Sequence, residues 1–272
     1  MLTEAAFRSY VDAFNRSDFD SFSSFYAPDV EFRGRAGDCH SRAEIVALYR
    51  DIRSRVREKI TLHAVVMGAD TIVADAETEL FGLVDWPELK SGALKTGETR
   101  RSENFLWYDI ADNQFTRIRS AHHRVIPPGT TVQGTVARPD KGMTAEQYAA
   151  YVDAFNQDDK ATYSSFYNDD VVLNIAGKHE LRGRQAIFDF YDIVKAQTRR
   201  TIQINKVITS GNQLAAELQS EFLALEDLPN FTAGPMKKGD RIFINTVALC
   251  ELRDGKFARI RSGELRKIHR PG

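Results

Sequence analysis

The sequence predicts an α+β protein built from two tandem cone-shaped barrels, each a curved, antiparallel-rich sheet with three helices, packed together as a pseudo-dimer. Three observations predict it. First, the chain repeats itself: Tyr10-Val-Asp-Ala-Phe-Asn15 recurs as Tyr151-Val-Asp-Ala-Phe-Asn156, and Ser23-Ser-Phe-Tyr26 as Ser164-Ser-Phe-Tyr167, at an offset of 141 residues. Asp85-Trp-Pro87 and Arg117-Ile-Arg-Ser120 recur as Asp227-Leu-Pro229 and Arg259-Ile-Arg-Ser262 at an offset of 142. A repeat unit of roughly 130 residues is a duplicated domain, whereas solenoid repeats run to about 20–50. Second, each copy opens on helical apolar spacing and changes to a period of two. Third, each copy ends in two alternating runs around a tight turn, Asp112-Asn113 or Asp254-Gly255, pairs that accept the positive φ of a hairpin. The expected domains are residues 1–127 and 143–272, joined by a linker rich in Pro, Gly and Thr over 128–142.

Taken in order, Phe7, Tyr10, Val11 and Phe14 fall at i, i+3, i+4 and i+7 and make one helical stripe. Tyr148, Tyr151, Val152 and Phe155 repeat it behind a Thr144-x-x-Gln147 capping box. A short second helix carries Phe19, Phe22, Phe25 and Tyr26 on one side, and a strand begins at Asp29. Ser41-x-x-Glu44 caps a third helix with the stripe Ile45, Leu48, Tyr49, Ile52 and Val56. From about Lys59 the pattern is strand-like: one strand through Val66, a longer one from Thr71 to Leu83, a loop, and the hairpin from Arg101 to Arg124. The order is α-α-β-α-β-β-β-β in each copy. Helices gathered on one side of a curved sheet enclose a conical cavity suited to a small apolar ligand.

Composition narrows the function. The 37 basic and 38 acidic residues nearly cancel, so no basic excess points to nucleic acid or an anionic membrane. Cys39 and Cys250 stand alone, without disulfide or zinc-ligand spacing, so a reducing cytoplasm is the default, with no metal expected. The N-terminus lacks a secretory pattern, no run approaches the 18 apolar residues of a membrane span, and dinucleotide, P-loop, α/β-hydrolase and zincin motifs are absent.

Counting outward from Asp112-Asn113, Phe115 faces Ile110, Ile118 faces Trp107, Ser120 faces Phe105, His122 faces Glu103 and Arg124 faces Arg101. This gives one face an aromatic floor that ends in an acid, an imidazole and guanidinium groups. Leu106, Tyr108, Arg117 and Arg119 fall on the outer face, with Ala248, Cys250, Arg259 and Arg261 as counterparts; apolar groups mixed with cations suit a pseudo-dimer interface. His123 points to that outer face. Arg101, on a buried face, needs a carboxylate such as Glu103. In the second copy the same counting sets Asn245 opposite Glu264, with no histidine, so the first copy, which holds both tryptophans and four of the six histidines, is the expected catalytic one. Glu79 and Glu221, present in both copies, read as structural or interface residues.

The element order, the Tyr-x-x-Ala-Phe-Asn of the first helix, the Phe-Tyr-x-x-Asp-Val that opens the first strand (Phe25, Tyr26, Asp29, Val30; Phe166, Tyr167, Asp170, Val171) and Asp254-Gly-Lys-Phe-Ala-Arg-Ile-Arg261 resemble the SnoaL-like branch of the nuclear-transport-factor-2-like superfamily over nearly the whole chain. That resemblance implies a cofactor-free pocket worked by acidic, histidine or tyrosine side chains. Many members carry an aspartate seven residues after the glycine of the last turn. Ser120 and Ser262 hold that place here, which moves attention to His122 and Glu264. The resemblance implies a cofactor-independent lyase acting on a small aromatic or polyketide-like molecule by dehydration or retro-aldol cleavage, for example deformylation of a lignin-derived diarylpropane. An isomerase or cyclase is the alternative, and a non-catalytic ligand-binding or scaffold module is the alternative of another class. The expected catalytic residues are His122, Glu103 and Arg101, and the expected substrate-binding residues are Tyr10, Tyr49, Phe105, Trp107, Ser120 and His40. Further homo-oligomerisation is left open.

Overall fold

The computed structural model describes residues 2–132, 134 and 141–272. The chain divides into two compact units, Met1–Val136 and Ala137–Gly272. Residues 133 and 135–140, within the expected linker, lie outside the described residues. Among the described residues no helix is long and apolar enough to cross a membrane.

The first unit runs α1 (Glu4–Asn15), α2 (Phe19–Ser23), β1 (Tyr26–Arg33), β2 (Asp38–Cys39), α3 (Arg42–Arg55), β3 (Val56–Met67), β4 (Thr71–Gly82), β5 (Thr99–Ala111) and β6 (Gln114–Ile126). The two-residue strand β2 is an addition to the predicted order. Strand β1 starts at Tyr26 rather than Asp29, and Pro28, with no N–H to give, falls where its ladder with β6 is irregular, between Tyr26 and Glu31. Strands β3, β4, β5 and β6 pair antiparallel in that order, while β1 joins β6 in parallel and β2 pairs with β1.

Helix α1 begins because the Thr3 hydroxyl accepts from Ala6 N at 3.2 Å, satisfying one of the free N–H groups of the first turn. The predicted stripe Phe7, Tyr10, Val11 and Phe14 is buried. At the helix end Asn15 serves as a clamp. Its Nδ2 donates to Ile60 O at 2.8 Å and its Oδ1 accepts from Ile60 N at 2.7 Å, so the last residue of the recurring motif ties α1 to β3. Inside the cone, Tyr10 meets Phe115 and Tyr108 edge-on at centroid separations of 5.0 and 5.9 Å, and Tyr108 and Phe115 are tilted against each other at 4.8 Å, within the favourable range of aromatic contacts.

The second unit repeats the plan with α4 (Ala145–Asn156), α5 (Lys160–Ser164), β7 (Tyr167–Ile175), β8 (His179–Arg182), α6 (Arg184–Gln197), β9 (Thr198–Ser210), β10 (Gln213–Ala224), β11 (Arg241–Arg253) and β12 (Lys256–Arg270). The Thr144/Gln147 capping box forms in both directions. Asn156 clamps Ile202 N and O at 2.8 Å each.

The final hairpins overturn the register obtained by counting. Asp112 and Asn113 form the turn with φ of 51° and 60°, and Ile110 faces Phe115, but the ladder shifts between Asp109 and Ile110. A shift of one residue exchanges which side chains share a face. Tyr108 therefore faces Ile118, Leu106 faces Ser120 and Asn104 faces His122, and after a second shift Glu103 faces Arg124. The expected pairings of Ile118 with Trp107, Ser120 with Phe105, His122 with Glu103 and Arg124 with Arg101 do not form. The second hairpin slips at the same places, so Glu264 stands opposite Thr246 and not Asn245.

Candidate active site

The cone of the first unit holds a cavity of about 290 Å³. Its sheet wall is made by Ser102, Asn104, Leu106 and Tyr108 of β5 with Ile118, Ser120 and His122 of β6, and Tyr10 and Tyr49 reach it from α1 and α3. Trp86 lines it from the β4–β5 loop, which is pinned back on itself by the Trp86–Leu94 bridge. Gly82 permits this crossing, because a Cβ there would lie 2.3 Å from Lys95 O.

Of the residues singled out from the sequence, Tyr10, Tyr49, Ser120 and His122 are on this wall. Glu103, Arg101, Phe105 and Trp107 are not: the register shift turns them to the opposite face of β5. Arg101 grips Glu77, with Nε to Oε1 at 2.6 Å and Nη2 to Oε2 at 2.9 Å, so its partner is Glu77 rather than Glu103. Glu103, fully buried, accepts from Arg124 Nε at 2.6 Å. Trp107 donates from Nε1 to Asp109 at 3.0 Å. His123 is buried on that face too, its ring stacked 5.0 Å from Phe105. His40 is exposed and outside the cavity lining, and its backbone N–H donates to Glu44 at the start of α3, 2.8 Å away. Conversely, Leu106 and Tyr108, expected outside, line the cavity, as Ala248 and Cys250 line that of the second unit.

A carboxyl unanticipated in the sequence occupies the cavity instead. Glu58, at the start of β3, lines it with its side chain 11% exposed, and its Oε2 has no hydrogen-bond partner. Burial pushes its carboxyl up to about 7, against the opposing pull of Arg53, whose Nη2 stands 3.9 Å from Oε2. The pull is weak because Arg53 is spent elsewhere: it donates to the Glu58 carbonyl and, at 3.0 Å, to Phe14 O, and lies 4.7 Å over the Phe14 ring. Four tyrosines surround the same space. Tyr10 and Tyr26 share a hydroxyl–hydroxyl bond of 3.0 Å, and burial raises the phenols of Tyr10, Tyr26, Tyr49 and Tyr108 well above the usual range. They remain protonated donors at neutral pH, beside a carboxyl balanced between its two forms. The signal for Glu58 was its polarity at an inward position of β3 between Val56 and Ile60, though its neighbours Arg57 and Lys59 made it look like part of a solvated charge run.

On the far strand, burial and then the charge of Arg35 push His122 down to about 4, so its imidazole is neutral. Asn104 fixes the ring. Its amide nitrogen donates to Thr78 Oγ1 at 3.1 Å and Ser102 Oγ at 3.0 Å, which turns Oδ1 towards His122 Nδ1 at 3.2 Å. Nδ1 is then the protonated nitrogen and Nε2 bears the lone pair.

Residues 7–118 and 148–260 each match the SnoaL-like domain family. Among solved structures, a candidate polyketide cyclase from Pseudomonas putida KT2440 is 22% identical over 44% of this chain and 91% of its own, with a TM-score of 0.38. Another from Xanthomonas campestris pv. campestris is 23% identical over 42% and 84%, at 0.37, and an LEH-like epoxide hydrolase from M. tuberculosis is 15% identical over 43% and 78%, at 0.36. No curated protein matches the chain.

Proposed function

The chain belongs to the SnoaL-like domain family, once in each half, and from that premise we propose that its first copy is a cofactor-independent acid–base enzyme that moves a proton on a small, mostly apolar carbon acid such as an aromatic or alicyclic ketone. The observation that carries this reading is Glu58, a carboxyl titrating at about 7 in a cavity lined by tyrosines. A general base works best with its pKa near the operating pH. As carboxylate, Glu58 takes the proton from the carbon next to the carbonyl, and the C–H electron pair becomes the C=C bond of the enolate. The charge moves to the carbonyl oxygen, where a tyrosine hydroxyl donates to it. Where the ketone carries a β,γ double bond the enolate extends to the γ-carbon, and Glu58, now protonated, returns the proton there, which moves the double bond into conjugation without any second titrating group. The cavity's 290 Å³ sits at the lower end of small-molecule sites, roughly 300–1,000 Å³, and suits one or two rings.

A lyase is the second reading, and the placement of His122 favours it. With Glu58 on β3 and His122 on β6, the two sides of the curved sheet each present a proton-handling group. A β-hydroxy ketone held between them loses its α-proton to Glu58; the enolate pair then forms the C=C bond as the β C–O bond breaks, and the protonated Glu58 gives its proton to the departing oxygen, so that water leaves, while His122 Nε2 accepts a hydrogen bond from the hydroxyl and orients it. A panel of β,γ-unsaturated and β-hydroxy aryl ketones in D₂O, followed by NMR, tests both readings. We expect deuterium at the α-carbon with wild-type protein and a loss of about 10²–10⁴-fold with Glu58→Gln; shifted double bonds identify an isomerase, and enones from the hydroxy ketones a lyase. Equal exchange by wild-type and Glu58→Gln overturns the assignment of Glu58.

A further inference from the structure

The second unit encloses its own cavity, of about 160 Å³, and the wall position equivalent to Glu58 carries the opposite charge. Asn156 holds Ile202 as Asn15 holds Ile60, which fixes the correspondence of β9 with β3. Arg200 therefore stands where the first copy has Glu58, Tyr191 where it has Tyr49, and Lys195 where it has Arg53.

Lys195 is engaged, donating to Phe155 O at 3.1 Å and pairing with Asp158. Arg200 is not. Its guanidinium lies 5.0, 4.8 and 5.2 Å from the ring centroids of Phe155, Tyr191 and Phe222, and its Nε and Nη1 are buried without a hydrogen-bond partner. Ring faces attract the charge but accept no N–H bond of ordinary strength, and a guanidinium does not escape by losing its proton. Two donors thus remain unmet on a side chain that lines the cavity, together with Val152, Leu173, Ile202 and Leu218. Lys178 and His179 add basic groups to the same lining, against one acid, Glu264.

We propose that the second cavity binds a small monocyclic carboxylate, its carboxylate oxygens accepting from Arg200 and its ring seated in the apolar interior. The volume fits: a dry apolar cavity of about 150 Å³ holds one benzene ring. The two copies are then unlike in kind, one handling a proton and the other holding an anion.

The test is ¹⁹F NMR of 4-fluorobenzoate titrated with the full-length protein, wild-type and variant, with circular dichroism to confirm folding. Saturable broadening is expected with wild-type and Glu58→Gln alike, weakened tenfold or more in Arg200→Met and less in Arg200→Lys, which keeps the charge. Neutral 4-fluorobenzamide should bind wild-type and Arg200→Met equally. Methyl shifts should appear at Ile202 rather than Ile60. Three results would overturn the proposal: no saturable binding, wild-type affinity in folded Arg200→Met, or a loss that follows Glu58→Gln instead. Competition by inorganic phosphate as strong as by unlabelled benzoate would also overturn it, by showing a site for charge alone.

Discussion

Asn104 Oδ1 lies 3.2 Å from His122 Nδ1, and the direction of that amide decides which imidazole nitrogen carries the proton. Asn104→Asp replaces a neutral acceptor with a carboxylate, which favours the charged ring. The Cε1–H resonance of His122, silent above pH 5 in the wild type because burial depresses its pKa to about 4, should then titrate at higher pH. In the wild type the depressed value makes His122 a source of stability at pH above its unfolded value near 6.5 that is lost as pH falls towards 4. Thermal melts between pH 7 and 4 should show a decline that His122→Asn reduces.

Glu58 has the reverse sign. Its folded pKa of about 7 lies above the ordinary 4.5, so its contribution is full below about 4.5 and is lost as pH rises through 7. Relative to Glu58→Gln, the wild type should lose stability between pH 5 and 8 by an amount on the order of 3 kcal/mol. The rate of proton transfer should rise over the same interval as the carboxylate forms. Arg53→Met removes the opposing pull and should move both curves to higher pH, as melts and rate profiles would reveal.

The ion pairs on the far face should behave as structure rather than chemistry. Arg101→Ala leaves Glu77, its side chain 11% exposed, without its bidentate partner, and should cost about 1–3 kcal/mol, less than the roughly 3–5 of a fully buried pair. Glu103→Gln should lower the melting temperature as well. Neither should change turnover by more than a few-fold, and a large loss of activity in a well-folded Glu103→Gln would restore that residue to the site.

Asn15→Ala should remove two backbone bonds at Ile60 and cost about 1–3 kcal/mol in chemical denaturation. Because Ile60 lies two residues from Glu58 on β3, the variant should also be slower in proton transfer. Asn156→Ala should match it in stability while leaving turnover unchanged.

These variants separate what was legible in the chain from what was not. The duplication, the helix caps and the hairpin turns were readable, because each is a local signal: a repeated Tyr-Val-Asp-Ala-Phe-Asn, a Thr144-x-x-Gln147 box, a turn at Asp112-Asn113. The site was only partly readable. His122, Ser120, Tyr10 and Tyr49 fell on the cavity wall, but the expected partners on β5 were displaced by one position. The reason is physical. From Glu103 to Tyr108 every residue of β5 is buried, so alternation of polarity does not distinguish the two faces, and the register rests on a bulge that no turn residue announces. Glu58 was hidden for a different reason: its burial is produced by α1 folding over β3, a contact between segments 45 residues apart in the chain.

An enzyme assembled from identical chains writes all its cavities with a single gene segment, so that any substitution appears in every one of them. Here the equivalent wall positions are encoded separately, at Glu58 and Arg200, and an acid in one does not oblige an acid in the other. Duplication has released the two pockets from symmetry, and each is free to be selected for its own ligand.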